Sequence, residues 1–183
     1  MNLTDRNHYE RICAYVDLDA MIDNMEQMHR NLKNGTKMIA VIKTDGYGHG
    51  SVAIAKELET VDYVWGYATA TIEEALWLRK NEITKPIIIL GYTFPYCYEN
   101  LAKEEIRPAV FTEEMAREMS EAGIKTGKKI KVHVKVDTGM GRIGIRPDEE
   151  SISFIKLLNE LPGIELEGIF THFSKADELD KTD

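Results

Sequence analysis

Met38-Ile39-Ala40-Val41-Ile42-Lys43 is a nearly uninterrupted apolar run that ends in a charged residue. An apolar run without alternation is typical of a strand in a parallel sheet, where both faces are covered. The turn Asp45–Gly50 follows, and the stretch Ser51–Leu58 is rich in alanine and aliphatic residues, which predicts a helix. The run therefore predicts a strand–helix unit of a parallel α/β fold.

The same unit recurs along the whole chain. Asp19 is the predicted N-cap of a helix before the first strand, and Thr71-Ile72-Glu73-Glu74 has the form of a capping box that opens a later helix. Strands alternating with helices at intervals of roughly 25 to 30 residues predict consecutive right-handed βα units. The six predicted strands are Met38–Ile42, Tyr63–Ala68, Pro86–Leu90, Pro108–Phe111, Lys131–Asp137 and Ile164–His172.

Two features favour a barrel over an open sheet. Unusual residues lie at or just beyond the C-terminal ends of three different strands, and a β/α barrel gathers such strand ends around one mouth. They are Lys43 with Tyr47, the stretch 137–142, and His172. In addition, Lys131–Asp137 alternates strictly between valine and polar residues, so its polar side chains should face the lumen.

Such barrels usually need about 250 residues and eight strands. The chain has 183 residues. We therefore expect an α/β fold of the (β/α)8 TIM-barrel type, incomplete here with about six βα units, and we interpret the chain as a fragment.

Composition excludes several classes of function. The net charge is -8, which argues against nucleic acid and against an anionic membrane surface as partners, and favours a small-molecule substrate. No signal peptide or membrane span is predicted, so we expect a cytoplasmic protein. Cys13 and Cys97 form no C-x-x-C motif and are expected to be buried thiols, and the five histidines have no metal-ligand spacing, so we predict no metal site.

Lys43 is the strongest candidate for chemistry. A lysine directly after a buried strand is costly to desolvate, which favours the neutral amine that forms a Schiff base. The alternative is a strand-terminal lysine whose ammonium reaches solvent. The following glycines, Gly46, Gly48 and Gly50, do not match the dinucleotide motif G-x-G-x-x-G.

Three segments, in the same order, resemble the bacterial alanine racemase family. The segment 40–50, AVIKTDGYGHG, resembles the cofactor-lysine motif of that family. The segment 135–144, KVDTGMGRIG, is similar to its substrate-arginine motif, and the segment 168–173, GIFTHF, to its sixth barrel strand. Asp45 and Gly46 depart from the asparagine and alanine that the family often has, which affects the assignment of substrate more than that of cofactor.

The resemblance implies a fold-type III pyridoxal-phosphate enzyme that works as a homodimer and supplies D-alanine for cell-wall peptidoglycan. Residues 1–18 would pair with a β-rich C-terminal domain absent from this chain, and residues 19–183 would form the partial barrel. Lys43 would hold the cofactor and act as the base on one face of the substrate. Further implied roles are cofactor contacts by Tyr47, Leu90 and His172, substrate binding by Arg142, and carbamylation of Lys135.

Several alternatives remain open from the sequence. Tyr47 could simply pack beside the turn, Arg142 could be a surface arginine, and Lys135 could pair with Asp137. The whole protein could be a serine or broad-specificity racemase, a non-catalytic pyridoxal-phosphate-binding barrel, or a folding fragment that binds no cofactor. Because the opposite-face base of this family would lie beyond Asp183, we expect the chain by itself to be inactive.

Overall fold

The computed structural model describes residues 12–178. Six strands form one parallel sheet in which every strand pairs with its neighbour in the chain. The predicted succession of βα units is thereby confirmed. The strands are β1 (Met38–Val41), β2 (Val64–Thr69), β3 (Ile87–Ile89), β4 (Ile106–Val110), β5 (Ile130–Val136) and β6 (Ile164–Thr171).

Helices connect the strands, and side-chain caps fix where several of them begin. Thr71, Thr112 and Asp148 each accept a hydrogen bond from the backbone amide three residues ahead. The first helix begins two residues earlier than expected, because Asp17 rather than Asp19 accepts from the Ala20 amide, at 2.9 Å. The helices are α1 (Leu18–Arg30), α2 (Lys43–Tyr47), α3 (Ser51–Leu58), α4 (Ile72–Lys80), α5 (Tyr98–Lys103), α6 (Glu113–Thr126) and α7 (Glu149–Glu160).

The sheet curves strongly, as the wall of a barrel does. Strands β2 and β5 are three positions apart, which in a flat sheet means about 14 Å between them. Yet the rings of Trp65 on β2 and His133 on β5 lie only 6.0 Å apart. Val41 of β1 and Phe170 of β6, on the two outermost strands, line the same cavity. The side chains of distant strands therefore meet on the concave face.

Strand β1 differs from the prediction in its coverage. Ala40 and Ile42 are buried, but Ile39 and Val41 are 41% and 43% exposed. Because side chains alternate along a strand, only the face towards the helices is covered, and the concave face of this outermost strand is open. Purely apolar sequence did not distinguish these two faces.

Two smaller expectations are also corrected. Strand β4 begins at Ile106, before Pro108, so the proline lies within a strand rather than at its start. Cys97 is buried as expected, whereas Cys13 is exposed.

The proposed division at residue 18 falls near the start of the described region. Residues 1–11 lie outside the described residues, residues 12–17 have no regular secondary structure, and Leu18 is the first residue of α1. Within residues 12–178, no helix has the length and apolar character that crossing a membrane requires.

Candidate functional site

A cavity of about 620 Å³ lies where the carboxyl ends of the strands converge. We call it the mouth cavity. All six site residues predicted from the sequence line it: Lys43, Tyr47, Leu90, Lys135, Arg142 and His172. The other lining residues are Val41, Ala70, Gly91, Tyr92, Ile143, Phe170 and Thr171. Residues more than 120 positions apart in sequence are thus brought to one space by the curvature of the sheet.

Lys43 is the second residue after β1 and the first residue of α2, and it is half-buried. Its ammonium nitrogen lies 5.9 Å from the centre of the Tyr47 ring, a distance compatible with a cation–π contact. Tyr47 is itself 61% exposed at the cavity rim. Most of its ring is therefore open to the cavity and to solvent.

The segment after Lys43 has an unusual backbone that the sequence did not predict. Thr44, Asp45, Gly46 and Tyr47 all lie in the left-handed region, with φ of 52°, 52°, 61° and 55°. This conformation costs about 1–2 kcal/mol for each residue that carries a Cβ, and more than one such residue in succession is rare. Strain of this kind persists only where the surroundings enforce it.

Asp45 is one of the groups that enforce this turn. Its Oδ1 accepts hydrogen bonds from the backbone amide of Ser51, at 2.8 Å, and from the Ser51 hydroxyl, at 3.1 Å. Asp45 thereby caps α3, whose own N-cap residue, Gly50, has no side chain to do so. A carboxylate oxygen of Asp45 therefore has this capping role.

Lys135 points from β5 into the concave side of the sheet, as its alternation predicted, and is only 5% exposed. Its Nζ donates to the Val136 carbonyl at 2.6 Å and lies 5.7 Å from the Phe170 ring centre. None of the ion pairs among residues 12–178 includes Lys135. Burial lowers the pKa of Lys135; Asp137 opposes this shift and the Arg142 guanidinium adds to it.

Asp137 is occupied by the backbone instead of pairing directly with Lys135. Its Oδ1 accepts from the amides of Gly141, at 3.0 Å, and Gly139, at 3.1 Å. These two bonds lower the pKa of the Asp137 carboxyl. The carboxylate folds the loop back over the end of β5, and this fold brings Arg142 to the mouth cavity.

Gly144 allows that loop to close against β5. It has a φ of +127°, and a Cβ there would lie 2.7 Å from the Asp137 nitrogen. The next residue, Ile145, donates its amide to the Lys135 carbonyl at 2.9 Å. Only glycine tolerates both the backbone conformation and this close approach.

The two remaining predicted residues come from the ends of two other strands. Leu90 continues β3, with its amide donating to the Thr69 carbonyl at 2.8 Å, and supplies an apolar surface. His172 is exposed and directly follows β6.

The sequence analysis missed Tyr92, which also lines the cavity and stacks edge-on against Phe94 at 5.1 Å. Tyr92 comes two residues after the predicted strand Pro86–Leu90, so the search at strand ends that supported Lys43 and His172 could have found it.

Comparison with known proteins agrees with this geometry. The family model described as alanine racemase, N-terminal domain, matches residues 16–183. The alanine racemase of Clostridium tetani is 43% identical over 175 residues, which cover 96% of this chain and 45% of that relative. The chain thus spans less than half the length of this curated relative.

Solved structures show the same fold. An alanine racemase of Clostridium difficile 630 superposes with a TM-score of 0.87 at 44% identity, covering 90% of this chain and 43% of that one. A histidine racemase of Leuconostoc mesenteroides superposes with a TM-score of 0.82 at 28% identity, covering 89% of this chain and 43% of that one. The expected barrel-type α/β architecture is confirmed by these likenesses.

Proposed function

Because the chain belongs to the alanine racemase family, whose N-terminal domain it matches, we propose that it supplies the lysine-bearing part of an active site that interconverts L-alanine and D-alanine. The observation that carries the proposal is the convergence of Lys43, Arg142 and His172 on one cavity from three separate segments of the chain, with Lys135 beside them. Convergent polar groups in a concave, partly apolar pocket are the usual form of a small-molecule site.

The cofactor we propose is pyridoxal phosphate, and the residues present fit it. The cavity volume of about 620 Å³ is within the range of cofactor pockets. Lys43 offers a primary amine for covalent attachment, Leu90 and Val41 offer apolar walls for a ring, and Tyr47 offers a hydroxyl for the phosphate. When bound, pyridoxal phosphate supplies an electron sink that stabilises negative charge on an amino-acid Cα.

The chain's own groups would position the substrate and move one proton. We assign to Lys43 Nζ the removal or return of the Cα proton on one face of the substrate. Arg142 would orient the carboxylate, since a guanidinium presents a planar fork of donors to an anionic group. His172 and Leu90, which also line the cavity, would help to exclude water from the cofactor.

We also propose that Lys135 is carbamylated. After the ammonium loses one proton, its neutral amine would attack carbon dioxide: an N–C bond forms, one C–O π bond opens to give a carboxylate oxygen, and a second proton leaves the nitrogen, so that a buried cation is replaced by an anion. The lowered pKa of Lys135 supports this step, since it increases the reactive neutral form. The neighbouring Arg142 guanidinium would then face a carbamate instead of a second cation.

Racemisation needs proton donors and acceptors on both faces of the substrate, and Lys43 can serve only one. We propose that the second base and most phosphate ligands come from the part of the relatives that this chain does not span, and that the 183-residue chain alone has no useful activity. Residues 1–18 would pair with that further, β-rich domain, and residues 19–183 would form the barrel portion.

The setting of the whole protein follows as part of the same proposal. We place it in the cytoplasm as a homodimer that acts on a free amino acid and supplies D-alanine for peptidoglycan. The acidic net charge of -8 is consistent with a small-molecule partner. Sedimentation of the full-length protein would test the dimer, a monomer at micromolar concentration being the contrary result.

A second substrate class is supported by the structural likeness to a histidine racemase. This scaffold accommodates a side chain larger than a methyl group in that protein, so serine or broad specificity is the alternative to alanine. Comparing turnover of alanine, serine and histidine by the full-length protein separates these possibilities. A preference for alanine supports our assignment, and equal turnover of all three contradicts it.

The central test is to add pyridoxal phosphate to the full-length protein, reduce with borohydride and map the modified peptide. We expect the label on Lys43. Lys43→Ala should not be labelled. Its racemisation rate should fall by about 10²–10⁴-fold or more, since the substitution removes a proton-transfer group. Lys80→Ala changes an exposed lysine on α4 and is the matched control. Label on another lysine in the wild type would overturn the proposal.

A further inference from the structure

Strands β1 and β2 separate directly below the mouth cavity, and their backbone amides then need new partners. The last bond between them runs from the Ile42 amide to the Ala68 carbonyl, at 3.0 Å. Beyond it, the Ile42 carbonyl accepts from the Gly46 amide at 2.9 Å and is no longer available to β2. The next amides, of Thr44 and Ala70, must therefore be satisfied by another group.

One carboxylate satisfies both amides. Glu74 Oε1 accepts from the Thr44 amide and Glu74 Oε2 from the Ala70 amide, each at 2.7 Å. Both distances are typical of strong hydrogen bonds to a charged acceptor. The carboxylate thus bridges the two chain segments at the point where the sheet ladder between them ends.

This bridge differs from the function that the sequence predicted for Glu74. In a capping box, the glutamate carboxylate would return to the amide of the N-cap residue, here Thr71. Only half of the box forms: the Glu74 amide donates to the Thr71 hydroxyl at 3.4 Å, while the carboxylate binds Ala70 and Thr44 instead. Glu74 therefore joins α4 to the segment that carries Lys43.

The position of this bond matters for Lys43. Thr44 is the residue directly after Lys43, and it is β-branched with a φ of 52°, a conformation such residues rarely adopt. A hydrogen bond to its amide fixes the peptide plane between Lys43 and Thr44. Lys43 and Ala70, the residues that the bridge holds in register, both line the mouth cavity.

We propose that Glu74 is a positioning residue: its carboxylate holds the left-handed turn after Lys43 against the end of β2 and so fixes the direction in which the Lys43 amine enters the mouth cavity. The inference rests on the proposed function, because it assigns Glu74 a role in cofactor attachment and proton transfer by Lys43. Glu74 itself need not touch substrate.

The test uses the full-length protein, pyridoxal phosphate and borohydride, with Glu74→Gln as the variant. Glutamine keeps the size of the side chain but has one acceptor oxygen for two amides. We expect the rate of label incorporation at Lys43 to fall about 10- to 100-fold, as for a misplaced reactive group, and its pH profile to shift. Glu73→Gln, which removes an exposed carboxylate from the same helical turn, should leave both unchanged.

A second variant separates positioning from general loss of structure. Thr44→Gly relieves the backbone strain at residue 44, so the turn depends less on the Glu74 carboxylate. The double variant Thr44→Gly/Glu74→Gln should therefore be labelled at Lys43 faster than Glu74→Gln alone. Amide hydrogen exchange of the wild type provides a measurement that does not depend on the variants. We expect the Thr44 and Ala70 amides to be protected, and exchange of Thr44 at the rate of an unprotected amide would overturn the inference.

The two proposals fail in different ways. If the wild-type label is not on Lys43, the proposed function is wrong. If the wild type is labelled on Lys43 and Glu74→Gln is labelled there at the same rate and with the same pH profile, the positioning role of Glu74 is wrong while the function stands.

Discussion

Lys135 is a single residue whose surroundings conflict with its charge. It is 5% exposed and has one backbone carbonyl as its hydrogen-bond acceptor, and the cationic Arg142 opposes the attraction that Asp137 exerts without a direct ion pair. A buried ammonium without an anionic partner lowers the free energy of unfolding. The same residue becomes favourable if it carries a negative charge, and its environment is therefore a sensitive test of the carbamate.

The first prediction concerns Lys135→Met in buffer free of carbon dioxide. Burial lowers the pKa of Lys135 from its ordinary value of 10.5, so the folded state disfavours the charged amine. The free-energy cost of burying the charged amine is present at neutral pH. It disappears as the pH rises through the pKa that Lys135 has in the unfolded chain. We expect the variant to raise the free energy of unfolding by about 1 kcal/mol near pH 7. The gain should shrink towards pH 10, as followed by urea denaturation.

Added bicarbonate provides the control for this prediction. If Lys135 forms a carbamate, bicarbonate stabilises the wild type by mass action and leaves Lys135→Met unaffected. Isotopically labelled bicarbonate should also give a carbamate resonance in the wild type that the variant lacks. An equal response of both proteins would count against carbamylation.

The sequence predicted the identity of the cavity residues better than their backbone geometry. Strand ends that meet at one mouth and the alternation of Lys135 pointed to this region, and the resemblance of segments 40–50 and 135–144 to alanine racemase motifs named Lys43, Lys135 and Arg142 within it. The left-handed turn after Lys43 was not predicted, since three of its four residues carry a Cβ and disfavour that conformation. Contacts from distant residues, which no local pattern records, decide such a turn.

Three strands are joined by a polar network below the mouth cavity. Glu167 of β6 binds Arg107 of β4, with Nε at 3.1 Å, and His133 of β5, with Nε2 at 2.9 Å. Although burial raises it, the pKa of Glu167 is lowered to about 2 by the hydrogen bonds from Arg107 and His133. The network holds the concave faces of β4, β5 and β6 together.

The second prediction is an acid-dependent loss of stability through Glu167. The folded pKa of about 2 lies below the ordinary value of 4.5, so the stabilisation is complete above pH 4.5 and is lost as the pH falls towards 2. We expect Glu167→Gln to cost about 1–3 kcal/mol at neutral pH and to flatten this acid dependence. Glu165→Gln, an exposed position on the same strand, is the control. Equal acid curves for wild type and Glu167→Gln would refute the assignment.

The order and type of the elements were predictable, whereas irregularities within them were not. All six strands and the cap at Thr71 were predicted, because period and capping residues are local signals. The position of Glu167 depends on a shift in register between β5 and β6 at Val132 and His133. The alternation of one strand does not reveal such a shift, so this network was missed.

At the scale of the whole molecule, the outermost strands leave apolar side chains exposed. Ile39 and Val41 of β1 are 41% and 43% exposed, and Ile169 of β6 is 60% exposed. Within residues 12–178, β1 pairs only with β2 and β6 only with β5. Exposed apolar side chains on unpaired strands favour association between copies of a chain.

The third prediction is that Ile169→Thr reduces association between copies of the 183-residue chain without altering the free energy of unfolding. Because the side chain is 60% exposed, the free energy of unfolding should change by about 0.5 kcal/mol or less. Light scattering and binding of a hydrophobic dye should both decrease. Val134→Thr, at a position that is 0% exposed, is the contrasting variant and should destabilise the chain by about 1–3 kcal/mol. Unchanged scattering by Ile169→Thr would show that association has another origin.

The sequential order of the strands also has a consequence for synthesis on the ribosome. Each strand after β1 pairs with the one made just before it. Hydrogen bonds from Lys37 to Asp62, Thr84 to Glu59 and Arg79 to Glu104 each join residues 25 positions apart. At a translation rate of roughly 5–20 residues per second, the partner for each new unit has emerged only seconds earlier. The nascent chain can therefore add one βα unit at a time to the sheet, from its amino end onward. Each new strand can form hydrogen bonds along one edge without a partner that is distant in sequence.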